Sequence, residues 1–185
     1  MTRNSRWAGL VVACVLIATG LIGGYGATAS TLGGLDWLPR SFEWPVGTVD
    51  GALTLPNGTH VVPHSFSGRV QIYDRTLKFV RGWHVRNHGG SIKVLDRGTD
   101  RFDVVSNRTT NRYTYLLTGD LVGSTPDTRD FDTYLNGERI TIPTAPWLLT
   151  ISSASASCFT FFSGMALLGF LRWRQRREER SLSEV

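Results

Sequence analysis

The four histidines are the residues whose spacing most resembles a metal site. They form two His-x3-His pairs, His60 with His64 and His84 with His88. On a helix this spacing would place both rings of a pair on one face, as zinc sites use it. On a strand the two rings share a face but stand about 13 Å apart, too far to ligate one ion. Pro63 and its β-branched neighbours favour a strand, so we predict solvated or hydrogen-bonded histidines and no metal or other cofactor. A site assembled between strands is the alternative.

The acidic run DTRDFD is the second candidate for metal chemistry. Asp127, Asp130 and Asp132 resemble a calcium-binding loop, but their spacing is not that of an EF-hand and Arg129 lies among them. We therefore interpret the run as a polar turn. The sequence also contains no nucleophilic serine motif, glycine-rich phosphate loop or paired-carboxylate signature. These observations favour a protein that is not an enzyme.

Large aromatic side chains are the strongest candidates for contacts with another protein, because such residues are favoured at interface centres. Arg81 joins them, since it falls on the otherwise apolar face of the predicted strand 77–85. There it needs an acidic partner, a docking protein, or a bulge at Gly82 that turns it outward. The candidate interaction residues are Trp37, Trp44, Arg81, Trp83, Tyr113 and Tyr115.

Two uncharged apolar stretches flank the region that carries these residues. Residues 147–171 end directly against Arg172 and would reach about 37 Å as a helix, enough to cross a hydrocarbon core of about 30 Å. Residues 7–27 would reach about 31 Å and follow a short basic start. We interpret them as a retained transmembrane helix within residues 7–29. The alternative is a signal peptide that is cleaved after Ala29.

Positive charge marks the outer end of each apolar stretch. Because arginine and lysine remain on the cytoplasmic side, we predict a two-pass protein of the cell (inner) membrane with residues 1–6 and 172–185 in the cytoplasm. The residues that set this topology are Arg3, Arg6, Arg172, Arg174, Arg176 and Arg177. The net charge of +5 is concentrated at these ends. A nucleic-acid-binding domain would carry its charge on the folded region, so we expect no nucleic acid as partner.

Small residues predict how the two spans pack. Gly20 and Gly24 are four apart on the first, and Ser153 and Ser157 are four apart on the second. Small residues at this spacing let helix backbones approach closely. The second span, within residues 146–171, is rich in hydroxyl groups and is therefore expected to have protein neighbours as well as lipid.

Residues 52–145 show alternation typical of strands and no helical period, and residues 30–51 are interpreted as a juxtamembrane linker. Strands are predicted at 68–74, 77–85, 91–95, 101–105 and 112–117, with 123–132 as a polar loop. Asn57-Gly58 and Asn136-Gly137 predict hairpins, the first with a type I′ turn. The fold class is therefore an all-β extracytoplasmic domain, an antiparallel meander or sandwich, flanked by two transmembrane α-helices.

A repeat of about 40 residues runs through this region. LPNGTHVVPHSFSGRVQIYDRTLKFV and LDRGTDRFDVVSNRTTNRYTYLLTGDLV share a leucine, a Gly-Thr turn and an arginine, Arg69 or Arg112. GRVQIYDRTLKFV and NRYTYLLTGDLV resemble the outer part of NHL-type β-propeller repeats, over roughly residues 52–122. The resemblance implies two blade-like meanders and no particular activity, since a propeller needs at least four blades.

We expect a non-enzymatic, membrane-anchored accessory or scaffolding subunit that docks through its β domain and helices. Its partners would be other membrane proteins or further copies of itself, with the lipid bilayer around the helices. Two units leave open sheet edges, so we predict that another chain completes the domain. The alternative is a compact sandwich that folds over its own edges. A stand-alone ligand-binding module is the second functional hypothesis, and an anchored hydrolase the third.

Overall fold

A long helix precedes the β domain and another follows it in the computed structural model, which describes residues 3–32, 36–151 and 153–183. Helix α1 spans Arg3–Leu32 and helix α2 spans Ala154–Ser183. Each contains a stretch that is long and apolar enough to cross a membrane, Trp7–Tyr25 in α1 and Ser155–Glu178 in α2. The helical and β regions therefore follow one another as the sequence predicts.

The β domain consists of two antiparallel sheets. In chain order the strands are β1 Thr48–Thr54, β2 His60–His64, β3 Arg69–Tyr73, β4 Phe79–His84, β5 Ile92–Asp96, β6 Arg101–Ser106, β7 Asn111–Leu116, β8 Leu121–Pro126 and β9 Glu138–Thr141. The first sheet has the order β4-β3-β2-β1-β9 and the second β5-β6-β7-β8. Strands β1–β4 and β5–β8 are thus two consecutive four-stranded meanders, and each unit of the sequence repeat covers the second and third strands of one meander.

The two meanders pack face to face. Val70, Ile72 and Trp83 of the first sheet share one buried cluster with Phe102 and Tyr115 of the second. The rings of Trp83, Phe102 and Tyr115 lie 6.0–6.2 Å apart between their centroids. In β3, β5, β6 and β7 alternate residues point into this core, since successive side chains of a strand lie on opposite faces. The domain is therefore a sandwich in which each meander covers the apolar face of the other.

Residues 36–47, which we call the strap, cover the outer face of the first sheet. The predicted linker is therefore part of the fold. The Gln71 amide accepts a hydrogen bond from the backbone N–H of Trp44 at 2.6 Å and donates one to its carbonyl at 2.9 Å. Gly82 N–H donates to the Arg40 carbonyl at 2.8 Å. Trp44 is buried with Tyr73 and Ile142 in a second cluster, so the strap closes a small core of its own.

Two turn predictions are corrected. The Pro56-Asn57-Gly58 turn is closed by a hydrogen bond from Gly58 N–H to the Leu55 carbonyl, with Gly58 alone in the left-handed region. A type I′ turn needs positive φ at two central residues, whereas proline at the first central position favours a type I turn followed by a left-handed glycine. The second hairpin, at Asn136-Gly137, does not form. Residues Phe131–Thr133 are a 3-10 turn, and β9 pairs with β1.

The helices α1 and α2 run antiparallel and contact each other closely. Gly9 faces Leu171, Ile17 faces Gly164 and Gly20 faces Phe161. The arginine-rich ends of both helices therefore lie at the same end of the pair. At the other end the 3-10 turn Ser65–Ser67 contacts α1, and the strap approaches the 3-10 turn Pro146–Ile151 that precedes α2. The sandwich thus rests directly on the helix pair.

The predicted packing residues of the helices divide into two groups. Gly20 and Ser157 lie in the contact, because a methyl group added at Gly20 would come within 2.7 Å of the Ser157 carbonyl oxygen. A methyl group added at Gly24 would meet no atom within 4 Å. Ser153 precedes the helix and acts as its N-cap, since its Oγ accepts a hydrogen bond from Ala156 N–H at 3.5 Å. The α-helix therefore begins later than the predicted span.

Candidate functional site

Four of the six predicted interaction residues lie in the protein's own cores. Trp83, Tyr113 and Tyr115 are buried between the sheets, and Trp44 is buried under the strap. The rings of Trp83 and Tyr115 pair across the sandwich, with 6.1 Å between their centroids, because each sheet has an apolar face to cover. These four side chains are therefore core residues that stabilise the domain.

Trp37 and Arg81 have different surroundings. Trp37 follows α1 closely and is 68% exposed, so it remains available for contacts. Arg81 is half-buried, and the strand irregularity lies beside it at Val80, not at Gly82. Hydrogen bonds from Thr118 and Arg40 lower the pKa of Asp120, and the charge of Arg81 adds to this effect. Arg81 thus has an acidic neighbour within its own chain.

Three of the four histidines are held by polar contacts, and the fourth, His88, is exposed. His60 and His64 stand at opposite ends of β2, and their Nδ1 atoms lie 3.0 Å from Thr54 Oγ1 and 2.7 Å from Ser67 Oγ respectively. His84 Nδ1 lies 3.1 Å from an Asp36 carboxylate oxygen. Within the described ranges, no three histidine, cysteine or acidic side chains converge as a metal site requires.

A network of charged residues lies on the outer face of the second sheet, with Asp103 at its centre. Asp103 is 1% exposed, and one of its oxygens lies 3.0 Å from Arg97 Nε and 3.2 Å from Arg112 Nη1. Its other oxygen accepts a hydrogen bond from Thr114 Oγ1 at 2.6 Å. Strands β6 and β7 bring these groups together because Asp103 is paired directly with Thr114. The buried carboxylate therefore fixes two guanidinium groups at the surface of the sheet.

The segment after β8 covers one part of this network. Arg112 Nε donates to Asp127 at 2.9 Å, and the Tyr134 hydroxyl donates to the same carboxylate oxygen. These hydrogen bonds, that of Tyr134 first, lower the pKa of Asp127. Arg129 lies over the Tyr134 ring, 4.9 Å from its centroid. The acidic run is therefore a structural turn, in which Asp127 pairs with Arg112 and Asp130 caps the following 3-10 turn.

The other part of the same face remains open. A groove of about 480 Å3 lies there, beside β8, and every residue of that strand is exposed. Two arginines, three hydroxyl-bearing residues and the middle of β8 line the groove: Arg97, Arg101, Thr114, Val122, Gly123, Ser124 and Thr125. Arg101 pairs with its exposed neighbour Asp100 at 3.1 Å, and its side chain is 46% exposed, so the guanidinium is accessible from solvent. The groove can accept an acidic or hydrogen-bonding group.

Sequence reasoning missed this face for two reasons. The polar stretch 123–132 carries no strand signal, because the sequence of β8 has no alternation. Asp103, Arg112 and Thr114 do occupy alternate positions of two predicted strands, which is a usable signal. Their convergence, however, depends on the register of β6 against β7, which the residue pattern does not specify.

The fold and the site define a β-sandwich carried on an antiparallel pair of apolar helices, with one outer face covered and the other partly open. Comparisons with protein-family models, with curated proteins and with solved structures give no match to this chain.

Proposed function

We propose that this protein is a non-enzymatic, membrane-anchored accessory subunit that binds a partner membrane protein through the open groove beside β8. Both helices cross the bilayer, and the sandwich lies on the side opposite the arginine-rich ends. The antiparallel helix pair supports this topology, because it gathers Arg3, Arg6 and Arg172 at one end. Basic residues concentrate on the cytoplasmic side of spans.

The observation that carries the proposal is the difference between the two outer faces. The strap covers the first sheet, whereas β8 and its groove are left uncovered on the second. Val122 is 54% exposed there and lines the groove together with Arg97 and Arg101. Apolar contact area next to a few fixed charges is the usual composition of a protein interface.

The helix pair offers a second contact within the membrane. An apolar groove of about 420 Å3 lies between α1 and α2 and includes Gly24, Tyr25 and Phe162 in its lining. Gly24 leaves this groove open, since no neighbouring atom would meet a side chain there. A partner helix docked in it would hold both proteins together while the sandwich binds outside.

Site-specific photocross-linking tests the proposal. A photoreactive amino acid at Val122 should give a discrete adduct with a membrane protein in intact cells. The matched position is Val80 on β4 of the other sheet, which is 46% exposed and should give none. Val122→Glu should abolish one-to-one co-purification, and Val80→Glu should retain it. Equal adducts at both positions, or no adduct at Val122, would contradict the proposal.

A small-ligand-binding module is the second candidate. The groove volume lies in the range of about 300–1,000 Å3 that is usual for such sites, and two guanidinium groups with three hydroxyl groups suit a carboxylate-bearing ligand. Thermal unfolding of the purified protein with dicarboxylates and acidic sugars distinguishes the candidates. Stabilisation that Arg101→Ala removes, without any adduct at Val122, would favour this second function.

A further inference from the structure

Arg69 is a fully buried cation whose hydrogen-bonding capacity is largely unused. Its side chain is 0% exposed, on the outer face of the first sheet beneath the strap. Nη2 donates to the Phe42 carbonyl at 3.1 Å. For Nε and Nη1, no acceptor exists among the described residues. Buried charges in proteins are normally paired, so the guanidinium lacks the counter-charge that its position requires.

The second repeat unit shows what such an arginine ordinarily receives. Arg112 occupies the repeat position of Arg69 and lies on the outer face of the third strand of its own meander. Asp103 and Asp127 both contact Arg112, at 3.2 Å and 2.9 Å. The segment that covers Arg112 supplies a carboxylate, whereas the strap supplies Arg69 with one carbonyl only. In the second unit the arginine therefore has carboxylate partners, whereas in the first unit Arg69 has a neutral carbonyl.

The residues directly opposite Arg69 on the two neighbouring strands are histidines. His64 on β2 and His84 on β4 are each paired directly with Arg69, so the three side chains form a row on one face. Asp36 contacts His84 and is itself 77% exposed. Desolvation lowers the pKa of Arg69 to about 10, and the guanidinium therefore remains charged at neutral pH. Its Nε and Nη1 donors suit an anion with several oxygen atoms.

We propose that Arg69 is the centre of a phosphate-binding site at the end of the sandwich that faces the helices. The 3-10 turn immediately before Arg69 contacts α1, and Asp36 lies just beyond the end of that helix. A phospholipid headgroup has its phosphate at this level if the helices span a bilayer, and free phosphate has the same chemistry. Arginine is the residue best suited to phosphate, since its planar fork donates several hydrogen bonds at once.

Access to the site requires only a local movement of the strap. Phe42 is 39% exposed, and its carbonyl is the strap group that contacts the guanidinium. Arg40, two residues earlier, is fixed through its backbone to Gly82 and through its side chain to exposed groups of the β7–β8 turn. Displacement of Phe42 would release Nη2 for an anion, while the hydrogen bonds of Trp44 to Gln71 keep the strap in place.

The test uses the full chain in a phosphate-free neutral detergent. Titration with inorganic phosphate should raise the unfolding temperature of the wild-type protein, and chloride at equal ionic strength should not. Arg69→Met should weaken phosphate binding at least about tenfold, as loss of a charge-assisted hydrogen bond predicts. Arg139→Met, which removes an exposed arginine on β9, should behave as the wild type.

Native mass spectrometry from bilayers separates the two sources of phosphate. A retained phosphatidylglycerol in the wild type that Arg69→Met loses identifies the headgroup, and a response to inorganic phosphate alone identifies the free anion. Should Arg69→Met fail to fold, Arg69→Lys keeps the charge but loses the planar fork, and it should bind phosphate more weakly than the wild type. A wild-type protein that neither retains phospholipid nor responds to phosphate overturns the proposal, as does an unchanged response in Arg69→Met or Arg69→Lys.

Discussion

Gly20 and Gly24 provide a matched pair of substitutions that tests the packing of the two helices. In Gly20→Ala the new methyl group would lie 2.6 Å from both Cβ and the backbone nitrogen of Phe161, and 2.7 Å from the Ser157 carbonyl oxygen. Ordinary carbon contacts lie at about 3.5–4.0 Å, so the helices must separate locally by about 1 Å. The obstructing atoms belong to the backbone and to a Cβ, which no side-chain rotation can move.

Overpacking of this kind typically costs about 1–3 kcal/mol. For a chain of this length each kcal/mol lowers the unfolding temperature by about 2–4 °C, so Gly20→Ala should lower it by roughly 2–12 °C. Gly24→Ala gains the same helix propensity and meets no atom within 4 Å. The difference between the two variants therefore isolates the steric cost. Thermal unfolding in detergent, followed by circular dichroism, measures it, and equal unfolding temperatures would refute the antiparallel packing described above.

The remaining predictions concern charged groups of the sandwich. Asp103→Asn should destabilise the protein by about 3 kcal/mol. This is the low end of the cost of breaking a buried ion pair, because Arg97 is half exposed. Thr114→Val, which removes one hydrogen bond to Asp103, should cost only about 1 kcal/mol. Denaturant unfolding measures both, and equal costs would argue against Asp103 as the centre of the network. Hydrogen bonding lowers the pKa of Asp120 and Asp127 below the ordinary 3.8. The stability that they contribute is present above this value and is lost as pH falls through the lowered values, so the unfolding temperature should drop below about pH 4. Asp127→Asn should show a smaller drop, and an identical acid profile would contradict this assignment.

The strands of the core could be predicted because their signal is local. Val70 and Ile72 alternate with polar residues in β3, and Tyr113 and Tyr115 do so in β7. Strand β8 could not, since its polar residues are all exposed and nothing in their pattern distinguishes a strand from a loop. The position of the strap is equally absent from the sequence pattern, because the sequence around Trp44 does not specify whether this side chain contacts lipid, a partner or its own sheet.

The pairing of β9 and the contacts of the charged residues on the outer faces also depend on tertiary structure. Asn136-Gly137 suits a tight hairpin, yet the strand that follows pairs with β1. At Gly137 an added methyl group would overlap the Ala52 carbonyl oxygen, so a distant part of the backbone occupies the space. Asp103 and Arg112 meet only through the register of β6 and β7, and Arg69 becomes isolated only because the strap crosses it.

The sequence by itself determined the apolar helices, the repeat and most strands, because uninterrupted hydrophobicity and alternation act on neighbouring residues. Tertiary structure alone decided that the two repeat units face each other and that the helices meet at Gly20 and Gly164. It also decided that one repeat arginine is paired with carboxylates while the other lies buried without them. The physical reason is that burial and charge pairing depend on which segments of the chain come to cover a residue, and those segments are far apart in sequence.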